Sequence, residues 1–400
     1  MKSNLLKKIF LWAGLTICIF ILAKEISWAF QSGLLAKDDF VEYWSASRLN
    51  IQGDNPYDPA GLITLQQNVL VARSEPLMMW NPPWNLAILL PFGLLSYPTG
   101  RAFWLLLNLA ILIFSADWLW GQFQGPPRYR WIAWIAGIFF WPTIFVLRMG
   151  QIGPILLAGL VGFLIFQARQ KDALAGMCAF LLALKPQLVY LFWPALIFWS
   201  WRERRWLILF SAGLTGLLTC AIAWAFNPLV INQYLTITFS NPPLYWATPT
   251  LGALLRYVFG PDKTWLQFLP TIFGGLWFVY YYWSHRGRWN WMDQLPIIIP
   301  VSLLTTSYGW TFDQVLLLPL VIQAAVWAMN SPLKRSVFVL FLYLLVNLAG
   351  VFSNRMSFTE FALWWLLPLW LVLYWLAKRV LIIYPDARLT TGIPASPPVA

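Results

Sequence analysis

Apolar runs bounded by proline, glycine or charge recur along this chain, and they leave it few folds. They lie near residues 8–30, 84–97, 99–121, 130–147, 152–168, 173–199 and 204–226, then 264–284, 294–308, 311–329, 333–352 and 360–380. A helix needs about 20 apolar residues to cross a bilayer, and its backbone groups must be satisfied within the segment itself. The pattern predicts a single all-α polytopic membrane domain over residues 1–400, with about 12 transmembrane helices in a range of about 10 to 13. Composition agrees, since 60% of residues are hydrophobic, 10% are charged and the mean hydropathy is +0.64. A soluble domain carries about 25% charged residues. Apolar surface on this scale has only lipid to hide in.

The net charge of +12 does not point to nucleic acid, because the basic residues form short clusters between apolar runs and no stripe. They read as topology signals. One side collects Lys2, Lys7, Lys8, Arg101, Arg148, Arg202, Arg204, Arg205, Arg286, Arg288, Lys334, Arg335, Lys378, Arg379 and Arg388. Most of the acids fall on the other side, among them Glu25, Asp38, Asp39, Glu42, Asp54, Asp58, Glu75, Asp172, Asp262 and Glu360. By the positive-inside rule both termini are cytoplasmic in a cell (inner or plasma) membrane, and segments 31–83 and 227–263 share the outer face. The first run lacks a small-x-small cleavage site and reads as a retained helix, and residues 385–400 read as a disordered cytoplasmic tail. Cys18, Cys178 and Cys220 lie in apolar stretches and His285 is the sole histidine, so disulfide frameworks and histidine metal sites have little material.

Chemistry therefore belongs in the loops. In segment 31–83, apolar and aromatic residues at 40, 43, 44, 47 and 51 suggest an interfacial helix with Asp39 at its N-cap. Asn55-Pro56-Tyr57-Asp58 ends it, and a second helical pattern near 60–72 precedes Asn81-Pro82-Pro83-Trp84. A further interfacial helix is expected near 249–259, carrying Arg256. Lys185 sits inside an apolar run, where an unpaired ammonium is expensive; it faces a cavity, meets an anion, pairs with a buried acid or snorkels to the interface. Pro186 after it loosens the helix and helps present Gln187.

Asp39-Phe40-x-x-Tyr43-Trp44-x-Ala46 and Gly53-x-Asn55-Pro56-Tyr57-Asp58 resemble the start of glycosyltransferase family 87, membrane enzymes of the GT-C class. The resemblance continues through Pro82-Pro83, Pro91, Gly150-Gln151, Gly176, Lys185-Pro186, Leu251-Gly252-x-Leu254-Leu255-Arg256 and Ser307-Tyr308-x-Trp310-x-x-Asp313. It implies a GT-C fold and an inverting transfer of a sugar from a polyprenyl-phosphate donor to a lipid, glycan or protein acceptor at the outer face. Asp39 matches the position of the catalytic base, with Asp38 adjacent in reserve. Lys185, Arg148 and Arg256 are the cationic candidates for the donor phosphate. Tyr43, Trp44, Asn55, Tyr57, Gln151, Gln187, Asp313 and Gln314 are the remaining donor or substrate contacts, and Trp84 is a further ring near the site. Arg148 reaches an outward donor only if its flanking spans dip and return. Some relatives carry histidines near Asp313 and this chain has none there. Asp38-Asp39 is not the separated Asp-x-Asp that holds a metal on a sugar nucleotide, so no cofactor is expected, with a divalent metal left open. The rival reading is a secondary transporter or glycolipid flippase, built from similarly broken helices; the long acidic, aromatic first loop argues against it.

Overall fold

The computed structural model describes residues 39–69, 74–240, 242–244, 246–355 and 360–382. The predicted first span, Asp38 and the predicted tail lie outside the described residues. Secondary structure among the described residues is entirely helical. The first half comprises α1 (Phe40–Gln52), α2 (Pro59–Gln67), α3 (Trp84–Gly93), α4 (Tyr97–Gln122), α5 (Arg130–Ile138), α6 (Trp141–Met149), α7 (Gly153–Ala168), α8 (Asp172–Phe180), α9 (Phe192–Arg202) and α10 (Trp206–Phe226). The second comprises α11 (Val230–Ser240), α12 (Leu251–Phe259), α13 (Leu269–His285), α14 (Trp291–Thr305), α15 (Leu318–Met329), α16 (Leu333–Arg355) and α17 (Leu366–Leu381). Among the described residues five helices are long and apolar enough to cross a membrane: Tyr97–Gln122, Trp206–Phe226, Thr311–Met329, Leu333–Ser353 and Glu360–Leu381. A sixth is added if Pro127–Ile138 and Trp141–Met149, bent by 61°, form one broken span. Large apolar side chains stand exposed along α10, α13 and α16, including Phe210, Leu217, Phe273, Leu276, Phe341 and Leu348. Such continuous apolar faces are lipid-facing surface.

Hydrogen bonds show which helix ends meet. At one end Arg205 binds the Asp172 carboxylate and the Gln167 carbonyl, while Ser331 and Arg335 reach the last turn of α17 through the Leu381 and Val380 carbonyls. At the other end the Asp39 amide donates to the Met149 carbonyl at 2.7 Å, and Asn227 donates to the Asp54 carbonyl at 2.8 Å. Asp54 and Asn227, from the two segments that the charge pattern puts on one face, are therefore in contact. Three charges change sides. Asp172 belongs with the basic cluster, and Arg101 and Arg148 belong beside Asp39. The reason is length: α3 has 10 residues, about 15 Å of helix, and runs back along α1 to where Arg48 binds the Gly93 carbonyl instead of crossing. Run 173–199 is likewise no single span, for it breaks at Lys185 and doubles back, so its two ends, Asp172 and Arg202–Arg205, lie together.

That break is written in local chemistry. Pro186 lacks an N–H and disfavours helix at the residue before it; Lys185 accordingly adopts φ −138° between two short 3₁₀ segments, Leu181–Leu184 and Pro186–Val189. The freed carbonyls find partners in the Asn-Pro-Pro-Trp segment: Asn81 and Asn85 donate to Leu184 O at 3.0 and 3.1 Å, and Trp84 Nε1 to Ala183 O at 2.9 Å. Buried backbone groups need such partners. Below the break α8 lies against α10 at Gly176, where a Cβ would come within 2.0 Å of Ser211 Oγ and 2.1 Å of the Ile208 carbonyl.

Candidate active site

Helix α1 begins at Asp39, yet the Asp39 side chain makes no capping hydrogen bond. Its Oδ2 instead accepts from Gln151 Nε2 at 2.9 Å, which turns the carboxylate away from its own helix toward a cavity. Nor is α1 a helix with one face on lipid, because Phe40, Val41, Tyr43, Trp44, Ala46 and Leu49 are all buried. Gln151 reaches Asp39 because α6 stops at Gly150, whose φ of +71° suits glycine and whose missing side chain lets Phe40 approach. Arg101, buried, donates to the Leu147 and Arg148 carbonyls at 2.8 and 3.0 Å, and Trp104 Nε1 donates to the Gly150 carbonyl at 2.7 Å. These bonds satisfy the open carbonyls of the helix end and place a cation at its negative pole.

Gln151 is the hub. Its Oε1 accepts from the Tyr43 hydroxyl at 2.6 Å and from Lys185 Nζ at 3.0 Å. Lys185 also binds Asp313 Oδ1 at 3.1 Å and sits 5.0 Å over the Phe312 ring. Asp313 is held in turn by the Trp310 amide, which donates to Oδ2 at 2.9 Å. An ammonium has three N–H donors, so these two partners leave one for a substrate. The chain Asp39–Gln151–Lys185–Asp313 thus ties four segments into one polar line along a cavity of about 460 Å³. That volume suits a small ligand. Glu42, Asn81, Gln187, Trp80, Trp246, Tyr308, Trp310 and Glu360 complete much of its wall.

A family model described as glycosyltransferase family 87 matches residues 80–306, more than half of the chain. The chain belongs to glycosyltransferase family 87. It is a multi-pass membrane glycosyltransferase, and acts on a sugar donor and an acceptor. No curated protein and no solved structure matches it. In this family 87 enzyme the matched stretch contributes Asn81, Gln151, Lys185 and Trp246 to the cavity, while Asp39, Glu42 and Asp313 come from either side of it.

The cavity brings together Asp39, Gln151, Lys185, Gln187 and Asp313 among the residues singled out from sequence. Tyr43 is buried behind them and reaches the site through Gln151. The others sit elsewhere. Trp44 is buried and donates to the Leu95 carbonyl; Asn55 accepts from the Tyr57 amide, and Tyr57 packs on Tyr234. Gln314 is buried next to Asp313 and does not line the cavity. The Arg148 side chain is exposed, outside the cavity wall. Arg256 is buried, donating to the Pro261 and Leu244 carbonyls and to Gln267.

Sequence reasoning passed over Glu42, Glu360 and the rings at 80, 246, 308 and 310 as site residues. The signal for Glu42 was present, since it lies three residues after Asp39 and so shares its helix face. Helix α1 lies outside the candidate spans. Burial, and next the neighbouring Asp39 carboxylate, push the Glu42 carboxyl up to about 8, against the opposing pull of Lys185 and hydrogen bonding by Tyr43 and Gln151. It is therefore neutral at pH 7.

Proposed function

We propose that this enzyme transfers a sugar from a polyprenyl-phosphate donor to a lipid, glycan or protein acceptor at the outer face of the membrane, with inversion. Asp39 takes the proton from the acceptor hydroxyl as that oxygen attacks the anomeric carbon. The bond from that carbon to the phosphate oxygen breaks on the opposite face, and polyprenyl phosphate leaves. Lys185, through its remaining N–H, meets the charge that develops on the phosphate. The observation that carries this reading is the single bridge between base and cation: Gln151 binds Asp39 with its amide nitrogen and Lys185 with its amide oxygen. One side chain thereby fixes both groups along one cavity wall, and positioning of this kind supplies much of a transfer enzyme's acceleration.

Charge accounting supports the same donor. Four carboxylic groups, Asp39, Glu42, Asp313 and Glu360, line the cavity with the Lys185 ammonium. Fully ionised, they would repel a phosphate, whereas a neutral Glu42 lowers that barrier and offers an O–H to the anion. An apolar groove of about 620 Å³ between α5, α15, α16 and α17, lined by residues such as Ile135, Leu320, Leu340 and Leu373, offers an isoprenoid chain a place within the bilayer.

The test reconstitutes the protein in liposomes with labelled polyprenyl-phosphate sugars and compares wild type with Asp39→Asn. Removing a general base costs about 10²- to 10⁴-fold in rate, so the variant should retain at most about 1% of the transfer while still binding donor. Undiminished transfer by the variant removes Asp39 from the mechanism. NMR of the product should show the anomeric configuration opposite to the donor's; retention would refute the single displacement.

A further inference from the structure

Four half-buried rings, Trp80, Trp246, Tyr308 and Trp310, meet on one wall of the cavity. They come from three segments far apart in sequence, with Trp246 at the centre. Its ring centroid lies 5.8 Å from Trp80, 5.8 Å from Trp310 and 6.4 Å from Tyr308. The series continues inward, since Trp310 stacks on Phe312 at 6.2 Å and Phe312 lies beneath Lys185. An aromatic path therefore leads from the buried cation to a rim where Glu75, Pro242 and Ala247 are exposed.

Membrane proteins also use tryptophan to anchor at the headgroups. Rings with that role point outward, as Trp224 and Trp283 do, each more than half exposed. The rings at the cavity face one another instead. The loop that carries Trp246 is fastened on both sides: Arg256 donates to the Leu244 carbonyl before it, and Thr250 after it accepts from Gln267, which also donates to the Ser307 carbonyl. The platform is thus held in place by bonds that no ligand supplies.

The negative face of an aromatic ring attracts the partly positive C–H edge of an apolar surface, and a sugar presents such a surface with hydroxyls around it. Asp39, Glu42, Asn81 and Glu360 line the same cavity and accept hydrogen bonds from hydroxyls. An isoprenoid has no hydroxyl to donate to these groups. A lipid alcohol or a peptide hydroxyl offers a single O–H and no ring face.

We propose that Trp246, flanked by Trp80 and Trp310, is the stacking platform for a sugar ring of the acceptor, so that the acceptor is the end of a glycan. The word acceptor rests on the preceding reading, which sets the transferred sugar beside Asp39, Gln151 and Lys185; the platform lies beyond it, toward the rim.

Saturation-transfer NMR on the full-length protein in nanodiscs tests this without any polyprenyl donor, using a panel of methyl glycosides and disaccharides as probes. Ring protons of at least one glycoside should be saturated. Trp246→Ala should weaken that binding about tenfold or more, and Trp246→Phe, which keeps a ring, should stay within about threefold. Trp246→Leu serves as a second ring-free variant of larger volume should alanine lower the unfolding temperature. The proposal is overturned if no glycoside is saturated, or if the ring-free variants bind like wild type. It is equally overturned if long-chain alcohols or serine peptides accept the sugar at rates that those variants leave unchanged. Bound glycosides with no transfer from any polyprenyl-phosphate sugar would defeat the donor reading and leave the platform standing.

Discussion

Lys185 and Asp313 form a buried pair at 3.1 Å, with side chains 10% and 2% exposed, and their separate removal has a calculable consequence. Lys185→Met strands the Asp313 carboxylate with the Trp310 amide as its remaining hydrogen bond. Breaking a buried pair from one side costs about 3–5 kcal/mol, and water entering the adjoining cavity places this case at the low end, about 3 kcal/mol. Asp313→Asn strands the ammonium in the same way, although Gln151 still accepts from it. The double variant holds neither charge. The asparagine that replaces Asp313 can keep the Trp310 bond, and no buried charge is left unpaired, so most of the loss should return.

An unfolding entropy of about 2.1 cal/mol/K per residue over a chain of this length turns 1 kcal/mol into about 1.2 °C. Each single variant should therefore unfold about 4 °C below wild type in detergent, and the double variant within about 1 °C of it. Thermal scans at pH 7 with a thiol- or tryptophan-based signal measure this directly. Additive losses, or single variants as stable as wild type, would mean that cavity water solvates both groups and that the pair holds nothing together. Transfer activity is a separate readout: the double variant should regain stability and remain inactive, because the donor phosphate still lacks its cation. A stable and active double variant would remove Lys185 from the site.

The other expectations concern Glu42, metal and packing. Glu42 keeps its proton up to about 8 in the folded state and releases it near 4.5 when unfolded, so the folded state binds more protons between those values and stability falls as pH rises through that window. Glu42→Gln should flatten that slope, and should also abolish the rise in donor KM expected of wild type above about pH 8; pH-dependent unfolding scans and kinetics read both, and an unchanged slope refutes the assignment. A lipid-monophosphate donor needs no metal bridge, so EDTA should leave the rate within about twofold; loss restored by added magnesium or manganese would contradict this. Gly176→Val places two methyls where a Cβ already meets Ser211 Oγ and the Ile208 carbonyl, and overpacking of this kind costs about 1–3 kcal/mol or more; a variant that elutes and unfolds like wild type would show that α8 and α10 separate freely.

The polar line of the site was legible in sequence where chemistry is expensive. An ammonium in an apolar run demands a partner, and that demand led to Lys185 before any contact was known. Its partner was not legible, because Asp313 lies 128 residues away and only the fold brings the two turns together. The same holds for the rings: Tyr43, Trp44, Tyr57 and Trp84 were favoured for nearness in sequence to Asp39, yet Tyr43 and Trp44 lie on a helix buried on most of its faces, Tyr57 packs on Tyr234 and Trp84 binds the Ala183 carbonyl. The rings that reach the cavity come from loops whose position depends on Arg256 and Gln267. Charge topology depends on which apolar runs cross. Run 84–97 was read as one crossing and is too short to make it, while run 173–199 was read as one and folds back at Pro186. Each error reverses the side assigned to every later segment, so the second undoes the first. Between them, Arg101 and Arg148 were grouped with the basic clusters, whereas the fold sets them at the end of α6 that binds the Asp39 amide. Hydropathy counts apolar residues along the chain; a proline in mid-run, with asparagines elsewhere waiting for the carbonyls it frees, decides where the chain turns.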